Sequence, residues 1–194
     1  ISITTNATFA TNTGITTIDL SDDTGSSGSN VIDVSNDDGS ETWTLTGSGH
    51  IDTITGDGGT DTLTGNGGND ILNGKDGVDT VLGGLGDDTF TVVAASDIIT
   101  GNLIEDTLTG GGGSGDKLAI GSGVTIANTV AWTNVTEIES ITANGVAAGN
   151  ISISLKSTFF ASTGISTITL AADTGTDGSN TIDASLIASQ AMTL

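Results

Sequence analysis

Aspartates recur every nine residues through the middle of the chain, at Asp52, Asp61, Asp70, Asp79 and Asp88, and the interval continues to Asp97 and Asp106. The first five sit sixth in nine-residue units that open with Gly and place an apolar residue eighth. Five such units run without a gap from Gly47 to Thr91, the third being Gly65-Asn-Gly-Gly-Asn-Asp-Ile-Leu-Asn73. Glycine tolerates φ > 0 and close backbone approach, so loops of this kind can turn their carbonyls toward an ion. Phased carboxylates and loop carbonyls are hard oxygen donors. Ca²⁺ takes about six to eight of them, whereas Mg²⁺ fits carbonyl-rich protein cages poorly.

The elements that must position these groups follow from the same period. Nine residues divide into a six-residue loop and a three-residue strand whose middle residue points inward, giving an apolar column of Ile54, Leu63, Leu72, Val81 and Phe90 that continues in phase to Ile99 and Leu108. Two nonapeptides make one turn, so loops n and n+2 stack, with parallel strands about 4.8 Å apart. The expected carboxylate pairs are Asp52/Asp70, Asp61/Asp79 and Asp70/Asp88, then Asp79/Asp97 and Asp88/Asp106. Two carboxylates about 5 Å apart at an effective dielectric of about 20 repel by roughly 3 kcal/mol. Several such pairs would consume much of a folding stability of about 5–15 kcal/mol. Cations between the loops reverse that sign, so metal binding and folding are expected to be one event.

The glycine loop is lost in Val92-Val-Ala-Ala-Ser96, where the coil is expected to continue over a weakened site. Gly111-Gly-Gly-Ser-Gly-Asp116-Lys-Leu118 reads as a last nonapeptide after a one-residue slip. Gly28-Ser-Asn30 and Gly178-Ser-Asn180 look like degenerate loops with Asn for Asp. Being out of phase, they read as simple turns.

The repeated G-G-x-G-x-D-x-U-x unit resembles the RTX (repeats-in-toxin, hemolysin-type) calcium-binding repeats, closely over residues 47–91 and loosely over 92–119. The resemblance implies a parallel β-roll in which the first four carbonyls of each loop join its sixth-position Asp. It implicates Gly56, Asp57, Gly58 and Gly59 with Asp61, and Gly65, Asn66, Gly67 and Gly68 with Asp70. It likewise implicates Gly74, Lys75, Asp76 and Gly77 with Asp79, and Gly83, Gly84, Leu85 and Gly86 with Asp88, while Asp52, Asp97 and Asp106 are further candidate ligands. It also implies type I secretion and folding outside the cell. The chain departs from the pattern at Ser48 and His50 in the first unit, where His50 replaces a Gly, and at Asp76 in the fourth. The acidic side chains of Asp57, Asp76 and Asp87 read as solvated loop carboxylates.

Composition supports a solenoid over a compact globule. The 194 residues include 30 Gly, no Pro, no Cys, 3 per cent aromatic residues and a net charge of -21. A stacked coil needs only one or two aliphatic residues per turn. Nucleic acid and membrane insertion are not expected, because neither a Lys/Arg surface nor a long apolar run is present. A larger repeat is superimposed. Residues 1–35 align with 151–185 at a constant offset of 150 with 20 identities, and Ser40–Leu45 aligns with Ser189–Leu194 after one deletion.

The expected organisation is an all-β parallel β-roll or β-helix solenoid with flanking irregular β segments. Residues 1–46 would end a preceding repeat unit and 47–119 form the calcium-binding roll. Residues 120–194 would be a further β segment, with 151–194 repeating 1–45. Weak helical candidates lie at 133–139 and 157–162. The chain reads as one period and a fraction of a tandem array, the alternative being a single duplication flanking one cassette.

The single His50 supports neither an ordinary zinc site nor a Ser-His-Asp triad, and Trp43 and Trp132 read as interior or interface residues. No catalytic group is expected. The expected function is a calcium-dependent structural repeat of a large secreted bacterial cell-surface protein, such as an adhesin, S-layer or filament. The expected partners are Ca²⁺, neighbouring repeats or copies, and a cell-surface or glycan ligand. The alternative is a folding and secretion cassette of a type I-secreted toxin or hydrolase.

Overall fold

The computed structural model describes residues 1–25, 28–37, 39, 41–100, 103–121, 123–127, 130–144, 150–155, 159, 163–170 and 180–183. Ser189–Leu194, Gly178, Ser179 and most of the 157–162 helical candidate lie outside them. Short strands wind as a parallel solenoid. A first sheet contains, in spatial order, Ser2–Thr4, Ser29–Asp33, Ile51–Thr55, Ile71–Asn73, Thr89–Val92, Lys117–Ile120, Ser140–Ala143 and Thr167–Thr169. A second contains Thr17–Asp19, Thr44–Thr46, Thr62–Gly67, Thr80–Leu85, Thr107–Gly112 and Val135–Thr136. The chain alternates between the two through the nonapeptide run. A third sheet, Thr125–Ile126, Ser152–Ser154 and Thr181–Asp183, joins at the C-terminal end.

The strand pattern follows from one inward residue per strand. In the first sheet Ile3, Ile32, Ile54, Leu72, Phe90, Leu118, Ile141 and Ile168 stand in register. In the second, Ile18, Leu45, Leu63, Val81, Leu108 and Val135 do the same. Both columns belong to one buried cluster, with Ile3 packed partly buried against it. Burying each aliphatic side chain contributes about 1.5–3 kcal/mol, and β-branched Thr and Ile at the remaining positions suit the pleat.

The regular coil breaks after Val92. Residues 93–100 and 103–104 leave both parallel sheets, with a 3-10 turn over Ala95–Asp97 and an antiparallel pairing of Ile99–Thr100 with Leu103–Ile104. The expected in-phase continuation through Ile99 is therefore corrected: the second sheet resumes at Thr107, with Leu108 opposite Val81. Without glycines, Val93-Ala-Ala-Ser96 cannot nest its backbone against the loop below, so one nonapeptide is extruded.

Phe9–Thr13 is a short helix that the hydrophobic period does not announce; it is closed by Gly14 at φ 70°. The Phe9 ring stacks on buried Trp43 at 6.2 Å. The helical candidate at 133–139 is instead a turn leading into the strand Val135–Thr136.

Candidate metal centre

The phased aspartates open the strands of the coil, and the parallel register stacks them into two ladders. Along one, the Asp52 amide donates to Asp70 Oδ1 (2.7 Å), the Asp70 amide to Asp88 Oδ1 (2.8 Å) and the Asp88 amide to Asp116 Oδ1 (2.6 Å). Along the other, the Trp43 amide donates to Asp61 Oδ1 (2.9 Å), the Asp61 amide to Asp79 Oδ1 (2.8 Å) and the Asp79 amide to Asp106 Oδ1 (2.9 Å). Each accepting carboxylate thus spends one oxygen holding the turn before it. Asp61 Oδ2 also accepts from the Asp57 amide (2.9 Å), whereas the second oxygens of Asp70, Asp79, Asp88 and Asp116 are left for another task.

All seven of these aspartates are buried. Burial, the largest cause, pushes Asp79 up to about 8, Asp70 and Asp106 to about 7, and Asp61 and Asp88 to about 6; Asp116 is raised as well. Neighbouring carboxylates push the same way, Asp106 and Asp61 on Asp79, and Asp88 and Asp52 on Asp70, while the ladder amides oppose them. A coil holding these groups as anions at neutral pH therefore requires counter-charge among them.

The donor set fits a hard cation. Asp70 Oδ2, Asp79 Oδ2, Asp88 Oδ2 and Asp116 Oδ2 are buried without a hydrogen-bond partner, and an orphaned buried carboxylate oxygen is costly unless a cation takes it up. Each of these oxygens faces the bare Cα of a loop glycine. A Cβ on Gly65 would fall on Asp70 Oδ2 and 2.5 Å from the Gly83 carbonyl oxygen. A Cβ on Gly83 would fall on Asp88 Oδ2 and 2.6 Å from the Gly110 carbonyl oxygen. Carboxylate and carbonyl oxygens from successive turns thus converge where only glycine leaves room. No group of three or more His, Cys, Asp or Glu side chains gathers among the described residues. An ion here must complete its shell from main-chain carbonyls and water, which is the habit of Ca²⁺.

The RTX calcium-binding nonapeptide repeat family matches residues 46–81, in four copies. Residues 46–81 are RTX repeats. RTX nonapeptide repeats bind Ca²⁺ and occur in secreted bacterial proteins. No curated protein and no solved structure matches the chain. No helix among the described residues is long and apolar enough to cross a membrane.

The loops of the coil divide their work by position. First-position Gly56, Gly65, Gly74 and Gly83 lie against the carboxylates of Asp61, Asp70, Asp79 and Asp88. At the second position Asn66 and Lys75 take φ 75° although neither is glycine, and Gly84 takes φ 117°; Asp57 is buried there. Third-position Leu85 and Asp76 turn their side chains out, beside Gly58 and Gly67 in the other loops. At the fourth position Gly77 packs on the Gly59 carbonyl and Gly86 on the Gly68 carbonyl, one turn below.

Several expected pairings are corrected. Asp79 pairs with Asp106, not Asp97, and Asp88 with Asp116, not Asp106. Asp97 sits in the extruded segment, where its Oδ2 accepts from the amides of Val93 (2.7 Å) and Ala94 (2.9 Å). It caps a turn and stands outside both ladders.

The first loop differs as its sequence implied. Asp52 Oδ2 accepts from the Ser48 amide (2.6 Å) and Ser48 Oγ (3.1 Å), so protein donors fill the place left open at Asp70, Asp79, Asp88 and Asp116. Asn30 is not in a simple turn. It lies in a strand opposite Asp52, with its side-chain amide on Ser48 Oγ at 3.0 Å, extending that ladder with a neutral group. Glu139, which the nonapeptide phase does not reach, extends the same ladder at its far end, its Oε2 accepting from the Asp116 amide at 2.9 Å. Its only sequence signal is that it precedes the apolar strand Ser140–Ala143.

Proposed function

We propose that the chain is a calcium-dependent structural repeat of a large secreted bacterial surface protein, an adhesin, S-layer or filament protein, with no enzymatic role. The observation that carries the proposal is the continuity of the coil. The residue columns that run through the RTX loops continue without interruption into the flanking segments, from Ile3 to Ile168 in the first sheet. Calcium held between the RTX loops would neutralise the ladder carboxylates and stiffen one coil that includes both flanks. The proposed ions lie along Asp52, Asp70, Asp88 and Asp116 on one ladder and Asp61, Asp79 and Asp106 on the other, completed by the loop carbonyls.

Single-molecule extension of the chain tests the mechanical role. In calcium the chain should resist extension with a distinct force peak, and in excess EGTA it should lengthen smoothly as an unfolded polymer. The same force curve under both conditions would overturn the structural reading. A toxin or hydrolase cassette would still bind calcium, but its gene would place one copy beside a catalytic domain instead of repeating the period of about 150 residues.

A further inference from the structure

The offset of 150 residues is repeated in the hydrogen bonds as well as in the sequence. The Ile1 amino group donates to Asn30 Oδ1 (2.8 Å), and the Ile151 amide to Asn180 Oδ1 (2.9 Å). Ser2 stands opposite Val31 and Ser152 opposite Thr181. Thr13 Oγ1 donates to the Phe9 carbonyl (2.8 Å), and Thr163 Oγ1 to the Phe159 carbonyl (3.1 Å). Gly14 and Gly164 follow with φ of 70° and 80°. At their described residues the two segments share these bonds and turns.

They differ in what covers them. In the second copy, Ser152–Ser154 lies between Thr125–Ile126 and Thr181–Asp183, and Thr167–Thr169 pairs with Ser140–Ala143. The Ser152 amide donates to the Val124 carbonyl (3.0 Å) and the Ser166 amide to the Glu139 carbonyl (3.0 Å). Ile151 and Ile165 are 1% and 0% exposed. In the first copy, Ser2–Thr4 and Thr17–Asp19 each form the edge of a sheet among the described residues. Their counterparts Ile1 and Ile15 are 59% and 48% exposed.

We infer that the face formed by Ile1, Ile3, Phe9 and Ile15 docks a coil turn of this chain's own kind, namely residues 124–143 of another copy joined head to tail. The argument is that the same apolar residues, in the same backbone conformation, already receive that turn elsewhere in the chain. Val124 and Glu139 of the docked turn supply carbonyls to the amides of Ser2 and Thr16, and Ile126 and Ile141 extend the columns of Ile3 and Ile18. A separate chain cannot offer this turn without opening, because its own strands Ser152–Ser154 and Thr167–Thr169 occupy it, so the partner is a covalently adjoining copy. The inference deepens the structural-repeat reading and rests on it.

The test is the full chain carrying a second copy of its residues 47–150 fused directly before Ile1, followed by amide hydrogen exchange in calcium. Exchange at Ser2 and Thr16 should slow at least about tenfold relative to the unextended chain, to the rates of Ser152 and Ser166, and bound calcium should double. Unchanged exchange at Ser2 and Thr16 with doubled calcium overturns the docking face and leaves the calcium reading standing. An extension that binds no added calcium also overturns it, because the face would then have failed to support the coil laid on it. The calcium reading itself is scored on the unextended chain. As a second measurement, Ile15→Asp should lower the unfolding temperature of the extended chain and leave the unextended one nearly unchanged, whereas Ile165→Asp should lower both. Equal effects of Ile15→Asp in the two chains would contradict the inference.

Discussion

The Asp79 amide donates to the Asp106 carboxylate at 2.9 Å across 27 residues, whereas the pairs below it in the ladders span 18. The extra nine residues are the extruded segment that contains Asp97. Spacing alone makes Asp97 and Asp106 equivalent. The loop backbone separates them, one as a turn cap and the other as a ladder carboxylate.

Substitution should separate the two roles. Asp97→Ala removes the acceptor for the Val93 and Ala94 amides, at a cost of about 1 kcal/mol, and should leave calcium binding unchanged. Asp106→Ala should raise the calcium midpoint. Thermal unfolding together with calcium titration of both variants checks this, and a shifted midpoint for Asp97→Ala would return that residue to the ladder.

Gly77→Ala should be severe and Gly49→Ala mild. Gly77 holds φ 128° with the Gly59 carbonyl against its Cα, whereas a Cβ on Gly49 meets nothing within 4 Å. Left-handed backbone strain and the clash together should cost about 2 kcal/mol or more, read as a lowered unfolding temperature in saturating calcium. Similar temperatures for the two variants would show that the loops do not nest in this way.

Protons should substitute in part for calcium. The folded-state values of Asp79, near 8, Asp70 and Asp106, near 7, and Asp61 and Asp88, near 6, lie above the ordinary carboxylate value of about 4. The folded chain therefore binds protons that the unfolded chain has released. Their contribution to stability is complete below about pH 4 and is lost as pH rises through 6 to 8. Calcium-stripped chain should show more β signal by circular dichroism at pH 5 than at pH 8, and its calcium midpoint should fall over the same interval. A β signal that does not change with pH would mean that the buried carboxylates are not what opposes folding.

How far the sequence reached depended on the chemistry of each stretch. The inward column from Ile54 to Phe90 was legible because each unit has one apolar residue at a fixed place and a parallel coil has only one register that buries it. The ladder pairs Asp52/Asp70, Asp61/Asp79 and Asp70/Asp88 followed from the same phase. Beyond Val92 the phase persists and the glycines do not, and main-chain nesting, which a count of carboxylates cannot see, decides where the coil goes. Asn30 and Glu139 escaped because they hold ladder positions with a different side chain at a different interval. The helix Phe9–Thr13 escaped because five residues are too few to show a helical period; the Ala10 amide held by Asp37 and the ring of Trp43 stabilise it from outside.

The central claim is that calcium is shared between successive carboxylates of a ladder, and equilibrium dialysis of two variants at saturating calcium tests it most directly. Asp79 stands between Asp61 and Asp106, whereas Asp106 is followed by no further aspartate on its ladder among the described residues. Asp79→Asn should remove two bound ions and Asp106→Asn one, with the rest of the coil retained by circular dichroism. An equal loss from both variants would contradict the shared ladder.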